Sequence, residues 1–137
     1  QLGRHWGIGT AKLDNGVQWV QTQLCMDLPV LRSYMRRFVA DRLTHRASLV
    51  VTIAPLLSVE SVRRLRTNIR GALIPEAIAM RLEQARDSEQ TGVQICAEML
   101  HELAELPGVA GAHIIAPGDP ELVRAVIDAS GLRKKGV

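Results

Sequence analysis

The stretch Gly16-Val-Gln-Trp-Val-Gln-Thr-Gln-Leu-Cys-Met-Asp27 holds the side chains best placed to do chemistry. Gln23 stands where an apolar run carrying Val17, Trp19 and Val20 gives out, and its uncharged amide can donate and accept hydrogen bonds at once. Asp27 follows four residues later, able to accept backbone N–H bonds from a helix that Pro29 helps to start. A strand that ends in an amide and passes into a capped helix is a βα junction, the place where parallel α/β folds meet their ligands. Taken alone, a glutamine at such a point is better explained by backbone groups that need a partner at a strand end.

Other chemistry is excluded by spacing. His101-Glu102 has the start of a zinc-protease helix, but Glu105 stands where the second histidine belongs. Gly7 and Gly9 with Lys12 lack the Gly-Lys-Ser/Thr ending of a phosphate loop, and no serine lies in a nucleophile elbow. No metal site is expected. Cys25 and Cys96 are far apart with no Cys-x-x-Cys, so both are expected as buried, reduced thiols. His113 is expected to be a hydrogen-bonded core histidine and not a base.

The elements that must position these residues alternate between strand and helix. Strands are expected near residues 17–23, 48–54, 71–74 and 109–116, in the order of a parallel α/β layer. Helical spacing links Leu28, Leu31, Met35, Phe38 and Val39, then Val93, Cys96, Met99, Leu100 and Leu103, then Leu122, Val123, Val126 and Ile127. Ser58 is expected to cap a second helix, Asp87 with Gln90 to make a capping box, and Asp119-Pro120 to open a last helix that Gly131 closes. An extra helix is expected over residues 75–84. The ligand-facing candidates at strand C-termini are Gln23, the Ala54-Pro55-Leu56 corner, Ile74-Pro75 and the His113 to Asp119 segment.

Composition is that of one ordinary globular domain over residues 1–137, with 47% hydrophobic and 23% charged residues. The apolar runs fall well short of the roughly 20 residues that span a bilayer, and no signal peptide opens the chain, so a soluble, cytoplasmic protein is expected. A net charge of +3 raises nucleic acid as a partner. Arg63, Arg64, Arg66 and Arg70, however, share one helix with Val59, Val62, Leu65 and Ile69, which makes them its solvated face. Aromatic residues for base stacking amount to 3% of the chain, and neither nucleic acid nor membrane is expected as a partner.

The βα junction resembles that of methylenetetrahydrofolate reductases, which carry Lys-x-Asp-x-Gly-x before a strand ending in Thr-Gln and an Asp-capped helix. Here these are Lys12, Asp14, Gly16, Thr22, Gln23 and Asp27. The likeness continues in order through Leu49-Val-Val-Thr-Ile-Ala-Pro-Leu57 and the Ile74-Pro75 step. It then takes in Gly92 opening a helix and Gly108-Val-Ala-Gly-Ala-His113 entering a last strand. The resemblance implies a TIM-type (β/α)8 barrel of one-carbon folate metabolism and methionine biosynthesis, reducing the methylene group of 5,10-methylenetetrahydrofolate to methyl. The electrons come from NADH or NADPH through FAD in that family. It implies that Gln23 contacts the folate, its amide matching the donor and acceptor edge of the pterin, and that Lys12 approaches flavin phosphate.

A complete barrel takes roughly 250 residues, and the chain has 137. The expected fold is therefore the C-terminal half of the barrel, with the first four βα units, the catalytic acid and much of the flavin site missing. Such a half is expected to self-associate or to join a missing N-terminal half. Flavin retention by this chain alone, and hence catalysis, is not expected, and no catalytic residue is assigned. Ile8 and Ala11 replace polar flavin contacts of the family, Ile114 and Ile115 replace an aromatic pair, and Asp119 falls where a folate-contacting arginine is expected. These departures leave open an alternative, a non-catalytic folate-binding or assembly module.

Overall fold

A computed structural model describes residues 19–45 and 47–132. Its elements in chain order are β1 (Trp19–Leu24), α1 (Leu28–Ala40), a short 3-10 turn (Leu43–His45), β2 (Ser48–Ile53), α2 (Val59–Asn68), α3 (Glu76–Glu83), α4 (Ser88–Ala104), β3 (Val109–Ile114) and α5 (Pro120–Ser130). The three strands form one parallel sheet in the order β1-β2-β3. This is an α/β fold compatible with a TIM-type barrel.

The sheet forms because Leu49, Val51 and Ile53, all fully buried, present a β-branched and leucine face to the helices. Against it α1 lays Leu31, Met35 and Phe38, and α4 lays Cys96, Met99 and Leu103, in each case at helical spacing. Each such leucine, methionine or phenylalanine contributes about 1.5–3 kcal/mol by leaving water. Val39, expected on the core face of α1, is 40% exposed. α5 packs chiefly on α4, and only Val126 and Ser130 of that helix are buried.

The helix starts are as the capping residues foretell. Asp27, Asp87 and Asp119 accept from Val30 N, Gln90 N and Leu122 N at 3.2, 3.1 and 3.1 Å, and Ser58 accepts from Ser61 N at 3.1 Å. Gly131 closes α5 with φ of 78°. Gly92 lies inside α4 and does not open it. A side chain there would run into the Leu56 backbone carbonyl, so glycine lets α4 approach the corner after β2.

The segment 71–74, expected as a strand, makes only one bridge, Leu73 with Cys25, formed by Leu73 N to Leu24 O (2.9 Å) and Met26 N to Leu73 O (2.7 Å). Gly71 at φ 79° and Pro75 bound it on either side, which leaves no room for a ladder. The bridge lies on the edge of β1 away from β2. Strand β3, not this segment, takes the other edge of β2.

Paired residues of neighbouring strands share a sheet face. Trp19 with Ser48, Gln21 with Val50 and Gly111, and Thr52 with His113 therefore lie on the face opposite the buried Leu49, Val51 and Ile53. Trp19 is 59% exposed on this face, and Gln21, Ser48 and His113 are exposed beside it. Among the described residues, helices thus cover one face of the sheet, whereas parallel sheets ordinarily have both faces covered.

Candidate functional site

The site is built by an irregularity in β1. Register runs Gln21 to Val50 and then Leu24 to Thr52, so Thr22 and Gln23 together oppose the single residue Val51. Two buried threonines stitch the bulge. Thr52 N donates to Thr22 Oγ1 at 3.0 Å, and Thr52 Oγ1 donates to the Thr22 carbonyl at 2.7 Å. The Thr22 hydroxyl donates in turn to the Gln23 carbonyl at 2.8 Å, and the ladder resumes with Cys25 N to Thr52 O at 2.9 Å.

The bulge sends the Gln23 side chain toward the turn before Leu73. Its carbonyl oxygen packs against Gly71, in the space any Cβ at that position would occupy. Gln23 Oε1 is buried and has no hydrogen-bond partner; among the described residues it is the one buried side-chain nitrogen or oxygen in that state. Leaving such an acceptor unmade costs about 1–3 kcal/mol.

Across the sheet, Gln21 Nε2 lies 2.8 Å from His113 Nδ1. His113 is thus hydrogen-bonded as expected, but it is exposed on the open face and not part of the core. Gln21 was not singled out from the sequence. The alternation of Trp19, Gln21 and Gln23 with Val20, Thr22 and Leu24 was the signal that could have found it.

The remaining candidates have other duties. Ala54 and Leu56 are buried in the corner that receives α4, and Ile74 is buried with its carbonyl accepting from Arg66 Nη2 at 2.7 Å. Arg66 is thereby fastened to the fold, unlike a purely solvated face residue. Asp119 caps α5. Lys12 lies outside the described residues. Cys25 and Cys96 are buried free thiols, and burial raises them to about 11 and about 12 respectively. A groove of about 630 Å³ lies between α3 and α4, lined in part by Arg86, Asp87, Gln90 and Gln94, and no strand residue reaches it. Arg81, also on its wall, is held by both carboxylate oxygens of Glu98 at 2.8 and 2.9 Å.

Residues 9–131 match the family model described as methylenetetrahydrofolate reductase. The chain belongs to the methylenetetrahydrofolate reductase family. That match takes in every described strand, the Thr22-Gln23 bulge, Gly71 and His113. No curated protein matches the chain. Membership in this family joins the chain to oxidoreductases of one-carbon folate metabolism, and the parallel sheet with its helices is compatible with the family's barrel. Among the described residues, no helix is long and apolar enough to cross a membrane.

Proposed function

We propose that this chain forms the folate-binding part of a methylenetetrahydrofolate reductase-type oxidoreductase, with Gln23 orienting the pterin ring of 5,10-methylenetetrahydrofolate. The observation that carries the reading is the buried, unpartnered Oε1 of Gln23 at the C-terminal end of β1. An amide oxygen held away from water without a donor fits a partner that arrives from outside the chain. A pterin edge offers N–H donors for that oxygen and an acceptor for the amide nitrogen, so one side chain fixes the ring in its plane.

In the reaction we assign, the methylene group of the folate is reduced to methyl with NADH or NADPH as the electron source. FAD, when bound, supplies the hydride relay between nicotinamide and folate. The residue assigned to it, Lys12, lies outside the described residues, so the role of the described site is to bind and orient the folate. The open sheet face, with Trp19 exposed on it, supports a half-barrel that needs a second half or a second copy to cover it.

Titration of 5-methyltetrahydrofolate, the product, against the wild-type chain and Gln23→Ala tests this reading. Binding by the wild type that weakens in the variant supports it. Equal affinity removes Gln23 from the site.

A further inference from the structure

The open face carries a second polar station that the family match does not assign. Strands β1 and β3 flank β2, about 10 Å apart at the usual strand spacing. The side chains of Gln21 and His113 meet over β2 beside Thr52 and close that span with one 2.8 Å hydrogen bond. Next to them the surface is empty, since a Cβ on Gly111 would meet nothing within 4 Å. Trp19 adds an exposed ring on the same side of the sheet.

The roles in the Gln21–His113 bond depend on the ring's tautomer: with the Gln21 amide nitrogen donating, His113 Nδ1 accepts and the ring proton sits on Nε2. No described side chain is hydrogen-bonded to that Nε2–H. A bond between two exposed side chains adds little to stability, but it does hold the imidazole at one angle and in one tautomer.

We propose that Gln21 and His113 form a ligand-positioning pair, in which Gln21 fixes the ring so that His113 Nε2–H donates to an acceptor atom of a folate lying on the open face. The proposal rests on the folate reading above. His113 touches the ligand, and Gln21 acts through His113 as a positioning residue.

Amide substitutions at position 113 separate this role from a structural one. Asparagine reproduces the reach of Nδ1 and keeps the contact with Gln21 but presents no outward donor. Glutamine reaches to the Nε2 position and keeps the donor. Titration of 5-methyltetrahydrofolate into the full chain is expected to show His113→Asn and His113→Phe weakened about tenfold, the loss of one hydrogen bond. His113→Gln is expected to stay within about threefold of wild type, and Gln21→Leu to weaken binding by about threefold as the tautomer is released. Thermal melts verify that each variant is folded, and ¹⁵N spectra of the ligand-free protein should show the proton on Nε2. Wild-type affinity in His113→Asn, or a proton on Nδ1, overturns the pair while leaving the folate reading intact. Failure of the wild type itself to bind overturns both.

Discussion

Gln23 and Gly71 share one space, the oxygen of the amide filling the place where a side chain on residue 71 would begin. The contact joins the bulge of β1 to the turn that leads into the Leu73 bridge. It explains why the strand-end amide is buried at its oxygen, and it ties the candidate ligand residue to a backbone conformation with φ of 79°.

Gly71→Ala is therefore expected to act twice. The left-handed φ strains any L side chain by about 1–2 kcal/mol, and the added methyl displaces the Gln23 oxygen. Chemical denaturation should show a loss of that size or more. Folate affinity should fall even at temperatures where the variant remains folded.

Gln23→Ala relieves a buried acceptor of its missing partner but also loses the packing of that side chain against Gly71, and because the two offset, stability is expected to change by less than about 1 kcal/mol. Folate binding should weaken roughly ten- to a hundredfold, the loss of one well-made polar contact. Gln23→Glu is the harsher change, because it places a carboxylate oxygen where the buried Oε1 has no hydrogen-bond donor. A lowered melting temperature is expected for the glutamate variant and not for alanine. Melting curves recorded beside the titrations check both.

Cys25 and Cys96, with thiols raised to about 11 and about 12 by burial, should resist alkylation at pH 8 in the native state and react fully once unfolded. The folded values exceed the ordinary value of 9.0, so the folded state holds its protons more tightly. Their contribution to stability is complete below about pH 9 and is lost as pH rises through 11 to 12. Native labelling faster than unfolding would contradict their burial.

The open face predicts association. A parallel sheet with Trp19 and Ser48 exposed at the N-terminal end of one face is expected to pair with a second copy or with a separate N-terminal half. Light scattering should show a dimer at tens of micromolar, a concentration on the order of a weak interface's Kd. Trp19→Lys should return the chain to monomer without lowering its melting temperature.

Local chemistry was legible in the residues themselves. Asp27, Ser58, Asp87 and Asp119 each meet an N–H three residues ahead, and a contact that short in sequence is settled by the residue types alone. The apolar periodicity of α1 and α4, the strand cores at Leu49 to Ile53, and the family motif at Thr22-Gln23 were equally open to reading. The reduction of residues 71–74 to one bridge was decided by the tertiary structure, because its partner Cys25 lies far away in the chain. So was the place of Gly92, which depends on the Leu56 carbonyl and not on any helix start. The burial of the Gln23 oxygen and the meeting of Gln21 with His113 depend on a bulge held by Thr22 and Thr52, residues 30 positions apart. Periodicity and capping act over one or two turns, whereas a strand register is set by which distant side chains fit together, and only the folded sheet determines that.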